Sequence, residues 1–560
     1  MAKTALFRAL MQAWQETSFE SESSNRSSRR DFLKQGSSTL MAASALGGLQ
    51  GCTSLATMRR PASSQIDQQV AIIGAGAAGL NAAYYLAKAG FASQIAVYEA
   101  DAYRIGGRIF THKKWDTQED VPDKMFIELG AELVDQGHTH IRTWAKDLGL
   151  KVEKFSSGQP GNKKQRPTDE DLFWIDGQTR GLRELSNKLE PLRNLLRQKA
   201  ALIKSSFPAA QRDKAMIFTH ADSQNPVKSA IDKMNIPQFL ELAGLDAWVK
   251  KVVEIAYTGE MGLDAEEQSA VNLLTLMYTE GKPDHIFYGE SDQGSRIQGG
   301  NGQIPAGIAR SIDTIVKSRE AWLKQGHRLT RIEDKGNSFS LTFDTAFGTK
   351  TFSASQVVLA IPFTVLRNVA GIENLGLNPL KLASIKNLGY GTNTKIMSGF
   401  SSRFWLNRKL VQRSFSGSLF MDQSGGQEFW ETSRLQKGQA GIITCFAGGK
   451  HGLGLTTQTK DSVIKDLGAW NQHFQNHFSG QQIVANWSQN QNTLGSYICV
   501  KPGQYTEFMG TERNPELNNR LFFCGEHTSS ERSGYMEGAL ETGMFAADSI
   551  LVSRGIKRSA

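Results

Sequence analysis

Four short apolar runs, each closed by glycine, proline or a carboxylate, frame the chain. Val70-Ala71-Ile72-Ile73 contains no polar position, which predicts a parallel strand buried on both faces rather than one alternating between core and water. Gly74 to Gly79 follow directly, and an Ala-rich helix is expected over residues 77–89, stopping at Gly90. Ile95-Ala96-Val97-Tyr98 predicts a second strand ending at Glu99. Residues 356–361 read as another buried strand, closed by Pro362, which cannot extend a ladder. Leu521-Phe522-Phe523-Cys524 is the fourth run, with a helix expected after it through Ala547. Between these frames, helical periodicity covers 182–203, 236–257 and 270–278, with a polar insertion at 156–171. A helix is expected over 306–316, strands over 327–332 and 338–343, and a turn at Gly348.

The glycines after the first strand have separate roles. Gly74 makes the turn, Gly76 lets a helix N-terminus meet a pyrophosphate, and Gly79 lets helix and strand pack closely, with Ala78 on the same first turn. Glu99 lies 20 residues after Gly79, with Ala100 beside it, where a carboxylate can accept hydrogen bonds from a ribose diol. This pattern predicts a dinucleotide fold, which serves nicotinamides and flavins alike. Gly106-Gly107-Arg108 follows just beyond the acid, where a loop can lie against the diphosphate and a guanidinium can offer paired donors.

Composition narrows the class. A chain of 560 residues with 39% hydrophobic and 21% charged residues is globular and holds two or three domains. Of the net +9, the first 66 residues carry eight basic and four acidic side chains, so the remainder is too weakly basic for a nucleic-acid surface. Cys52, Cys445, Cys499 and Cys524 have no paired spacing, which excludes a zinc ribbon, a CxxC redox centre or a disulfide framework, and no metal site is expected. Ser28-Arg29-Arg30-Asp31-Phe32-Leu33-Lys34, followed by an uncharged stretch over 35–58, resembles a twin-arginine export signal. It implies the twin-arginine export machinery as a partner and a periplasmic or cell-envelope location. Leu49-Gln50-Gly51-Cys52 resembles a lipobox that would make Cys52 a lipid anchor, while Ser54-Leu55-Ala56 offers a competing cleavage site.

The loop Gly106-Gly107-Arg108-Ile109-Phe110-Thr111 resembles the G-G-R-x-x-T of the FAD-dependent amine oxidases, the flavin monoamine oxidase family. Residues 126–132 are similar to that family's next landmark, which implies flavin contacts at Leu129, Gly130, Ala131 and Glu132. Residues 296–305 are similar to the start of its second pass through the flavin domain, with Leu329 implied as a backbone contact near the adenine. The C-terminal match is the most specific: Gly525-Glu526-His527-Thr528 and Ser533-Gly534-Tyr535-Met536 imply contacts from Gly525, Glu526, Gly534, Tyr535 and Met536 to the ribityl chain and flavin carbonyls. No chemistry is assigned to His527.

The resemblance also implies who assists the reaction. Tyr497 and Tyr535 stand where two aromatic rings flank the amine, and electron-rich ring faces favour a positively polarised nitrogen. Ser496 stands where a cysteine anchors FAD in mammalian-type relatives, so the FAD here is expected to be non-covalent. Lys395 looks like the family lysine that holds a water near the flavin and assists reoxidation.

The fold expected is α/β: a doubly wound FAD-binding domain assembled from 67–150, 290–384 and 491–556, with residues 1–66 as export signal and flexible segment. An inserted α+β substrate domain with a mixed sheet takes its helical part from 151–289 and its sheet part from 385–490. The function expected is oxidation of a small-molecule amine to an imine, with O2 reoxidation giving hydrogen peroxide. An L-amino acid oxidase or tryptophan 2-monooxygenase-like enzyme is the alternative, and it requires an arginine aimed at the substrate carboxylate. A desaturase or protoporphyrinogen oxidase shares the flavin fingerprint but does not need the paired tyrosines. An exported flavin-binding electron carrier without oxidase turnover is the rival from a different class.

Overall fold

The computed structural model describes residues 69–115, 125–155, 172–278, 294–407, 410–411, 418–423 and 426–556. Arg29, Arg30, Cys52, the competing cleavage site and the polar insertion at 156–171 lie outside the described residues.

The strand Val70–Ile73 is central in a five-stranded parallel sheet, between Gln356–Leu359 and Ile95–Tyr98. Leu521–Phe523 and Leu323–Lys324 form the two outer strands. All four residues of Val70–Ile73 are buried, as a run without polar positions demands. Val70 and Ile72 face one apolar core with the helices Ala77–Leu86, Gln303–Val316 and Met536–Ser553. Ala71 and Ile73 face a second core beneath a three-stranded antiparallel sheet, Arg328–Asp334, Phe339–Thr345 and Gly348–Ala354. Three stretches far apart in the chain therefore build one sheet, whose carboxyl edge carries the glycine loop.

Beside it stands a seven-stranded mixed sheet in the order Phe478–Asn486, Thr394–Phe400, Gly441–Ala447, Glu428–Glu431, Ser418–Met421, Leu172–Ile175, Gln178–Gly181. Its last two strands come from the region read from sequence as helical. They form a hairpin turning on Asp176 (φ 51°) and Gly177 (φ 72°), the positive-φ pair that a two-residue turn needs. The two longer expected helices are each divided. Residues 182–205 split into Leu182–Lys188 and Glu190–Ser205, with Pro191 in the first turn of the second. Ile236–Glu241 and Ala247–Met261 are separated by a turn containing Gly244 (φ 63°). In both cases apolar periodicity continues across a break set by backbone chemistry.

Candidate active site

A cleft with about 1790 Å³ of empty space, its open mouth included, runs from the glycine loop to the mixed sheet. At its first end the helix Ala77–Leu86 begins at Gly76 without a side-chain cap, so its first N–H groups point at the cleft unsatisfied. Gly74 holds φ 104°, and Gly106 pairs with Gly76 across the loop. A Cβ at Gly76 would meet only Gly107 Cα at 4.0 Å, so a trough remains open over the helix end. Glu99 closes this end: Oε2 accepts from Ala75 N–H at 2.7 Å and Oε1 from Asp101 N–H at 2.9 Å. Each oxygen keeps a lone pair for a diol. Ala78, Ala100, Gly107 and Leu329 line the same end.

Gly79 is not among the residues that line the cleft, and its surroundings fit the packing role read from the sequence. A Cβ there would be driven into Gly74 O, with Ala360 Cβ at 3.2 Å. It is the packing glycine that seats the helix on the strand end.

The middle of the cleft joins three chain segments. Arg108 Nη1 donates to Glu526 Oε1 at 2.9 Å and to Ser496 O at 2.6 Å, while Gly534 N–H donates to Glu526 Oε2 at 2.7 Å. The arginine expected at the diphosphate thus has one nitrogen committed to the C-terminal segment. Leu129 N–H and Ala131 N–H pair with Phe110 O and Arg108 O, leaving no room for a side chain at Gly130, where a Cβ would meet Arg108 O and Trp487. Gly525 and Met536 complete this wall. Ser496 Oγ donates to Asn393 Oδ1 at 2.6 Å. Beneath it Glu128 is buried, accepts from Thr111 Oγ1 and Asn301 N–H, and is pushed up to about 8 by burial.

The far end gathers Lys395, Glu132, Trp430, Phe446, Tyr497 and Tyr535. Tyr497 donates its hydroxyl to Glu260 O at 2.9 Å, at the end of the helix Ala247–Met261, and burial raises that hydroxyl well above its ordinary range, so it stays a neutral phenol. The Tyr535 ring packs edge-on against His138 at 5.0 Å. Lys395 is buried in a strand whose seven positions are all buried. Its Nζ donates to Gly130 O at 2.9 Å, Glu128 O at 3.3 Å and Glu132 Oε2 at 2.9 Å. Those are all three of its donors, so the expected water would have to displace one of them.

The model of the flavin containing amine oxidoreductase family matches residues 77–551. The chain belongs to that family. The L-amino-acid oxidase of Echis ocellatus is 22% identical over 491 residues, covering 86% of this chain and 88% of that one. The solved cyclohexylamine oxidase from Brevibacterium oxydans IH-35A overlays with a TM-score of 0.68 at 21% identity, covering 87% of this chain and 100% of that one. Wild-type putrescine oxidase bound to putrescine overlays at 0.65 with 18% identity, covering 87% and 99%. This amine oxidase uses FAD, and the cleft fits it. The uncapped helix end over a glycine trough suits a diphosphate, Glu99 suits a ribose, and the far end is long and aromatic.

Sequence reasoning missed Trp430, Phe446 and Asn393. Trp430 lies in Glu428–Glu431 and Phe446 in Gly441–Ala447, strands buried at every position, so no alternation marks which side chains face the cleft. The pairing of Arg108 with Glu526 was equally invisible, since 418 residues separate them.

Proposed function

We propose that this enzyme oxidises a small primary or secondary amine to the imine, which water converts to a carbonyl and ammonia (from a primary amine) or a primary amine (from a secondary one), while O2 becomes hydrogen peroxide. Bound FAD would supply the acceptor for the hydride equivalent. The observation that carries the reading is the aromatic end itself. Trp430, Phe446, Tyr497 and Tyr535 line it, and among the described residues the arginines that line the cleft are Arg104, Arg108 and Arg328. Arg104 is bonded to Gly107 O and Arg328 to Gln491 O, and Arg108, which reaches Ser496 O beside Tyr497, is already paired with Glu526. A substrate carboxylate beside Trp430 would meet the Lys395–Glu132 pair, whose ammonium already has a carboxylate partner. The rings orient the neutral amine by shape and by attraction for its polarised nitrogen, and they exclude water from the reacting carbon. In this reading 151–289 and 385–490 form the substrate domain and the remaining folded segments hold FAD, with Tyr497 and Tyr535 of the last segment also facing the substrate.

Peroxide release by the FAD-loaded protein over monoamines, diamines and L-amino acids tests it. Turnover of amines is expected; turnover of L-amino acids alone would replace this reading with the amino-acid oxidase one, which the 22% identity to the Echis ocellatus enzyme favours. We further propose non-covalent FAD, since Ser496 cannot form a thioether, and export through the twin-arginine route. Arg29→Lys with Arg30→Lys is expected to retain the protein in the cytoplasm, and unchanged export in a fractionation assay would end that reading.

A further inference from the structure

The buried pair at the far end has a property beyond substrate binding. Lys395 and Glu132 keep only 8% and 6% of their side-chain surface exposed, and Nζ and Oε2 are 2.9 Å apart. The other carboxylate oxygen, Oε1, accepts from Trp430 Nε1 at 3.4 Å, and Nζ lies 5.4 Å from the centre of the Trp430 ring. Glu132 therefore fixes the lysine and the tryptophan together. Its neighbour Glu128 feels both charges through space but offers Lys395 only its backbone carbonyl as a hydrogen-bond acceptor, its own carboxyl being turned to Thr111 and Asn301. Burial holds that carboxyl protonated at neutral pH.

The dinucleotide end of the cleft takes the diphosphate, so the redox ring of the cofactor lies toward the end where Lys395 stands. A lone buried ammonium beside that ring would favour the negative charge gained on reduction. A carboxylate in contact with the ammonium cancels most of that field. We infer that Glu132 is a positioning residue that neutralises Lys395 and thereby holds down the reduction potential of the bound flavin. This rests on the proposed placement of the cofactor ring.

The test is the midpoint potential of the flavin at pH 6.5, by equilibration with a reference dye, in wild type, Glu132→Gln and the double variant Glu132→Gln with Lys395→Met. Glutamine keeps the shape and an acceptor but removes the charge. Glu132→Gln is expected to shift the reduction equilibrium at least tenfold toward the reduced form, about 30 mV for two electrons. The double variant, again without net charge, is expected to return to within threefold of wild type. A Glu132→Gln potential equal to wild type, or one that persists in the double variant, overturns the inference while leaving amine turnover by the wild type intact. Failure of the wild type to take up flavin overturns both this inference and the proposed function. Retained flavin absorbance in each variant separates a charge effect from loss of fold, because lost packing has no reason to be reversed by removing the lysine.

Discussion

Two glycines three residues apart should fail in opposite ways when given a methyl group. At Gly79 the added Cβ has backbone on one side, Gly74 O and Gly74 C at 3.1 Å, and Ala360 Cβ at 3.2 Å on the other. No rotamer relieves it, so the helix Ala77–Leu86 must lift from the strand end. Overpacking of this kind costs about 1–3 kcal/mol, and the helix propensity gained by Ala over Gly returns about 1 kcal/mol. With backbone as the obstacle the upper end applies, and a net loss of about 2 kcal/mol should lower the melting temperature of the apoprotein by about 1 °C per kcal/mol in a chain of this length. At Gly76 the backbone is extended (φ −74°, ψ −178°) and the nearest atom to a new Cβ is 4.0 Å away, so alanine costs the apoprotein almost nothing. It would, however, fill the trough over the helix end. Losing one charge-assisted N–H contact to a phosphate costs about 1.5–3 kcal/mol, a fall in FAD affinity of about 10- to 100-fold. Thermal melts of both apoproteins, with FAD titrations followed by flavin fluorescence, measure the two effects. A Gly76→Ala apoprotein destabilised as much as Gly79→Ala, or a Gly79→Ala apoprotein that melts like wild type, would refute this division.

Glu526→Ala takes the carboxylate from Arg108 Nη1, which keeps only Ser496 O, and from the Gly534 N–H, at a cost of up to about 3–5 kcal/mol; Glu526→Gln keeps one acceptor oxygen, enough for one of the two donors, and should recover only part of it in a thermal melt. Acid stability should report two imidazoles. His138 and His527 are lowered from 6.5 to about 4, chiefly by burial, so between pH 6.5 and 4 the unfolded chain binds more protons and stability falls as pH falls. Each contributes on the order of 3 kcal/mol. Glu128, raised by burial, acts in the opposite sense between 4.5 and about 8, so the comparison is the slope of His138→Gln or His527→Gln against wild type, which should be flatter. Heat or acid denaturation should release free FAD into the filtrate, and flavin that stays with the polypeptide would remove the inference from Ser496.

The amino-acid sequence carried the parts of this protein that depend on neighbours in the chain. A run without polar residues has to be buried on both faces wherever it ends up, so Val70–Ile73 and Gln356–Leu359 were legible as strands before their partners were known. Gly74, Gly76 and Glu99 were legible because a turn, a close approach and a hydrogen-bonding carboxylate need those residue types at that spacing. The hairpin at Asp176-Gly177 was present in the sequence as a turn signal but was hidden within a region dominated by helical periodicity.

What the chain order could not say is which surfaces meet. In Thr394–Phe400 every position is buried, so hydrophobic alternation carries no direction, and only the strand register, with Lys395 opposite Phe446 and Ala485, turns the lysine into the cleft. The contacts of Glu132 with Lys395 and Trp430 span 263 and 298 residues. Their strength comes from distance and burial rather than residue type, and both are fixed only when the parallel and mixed sheets close around one cavity.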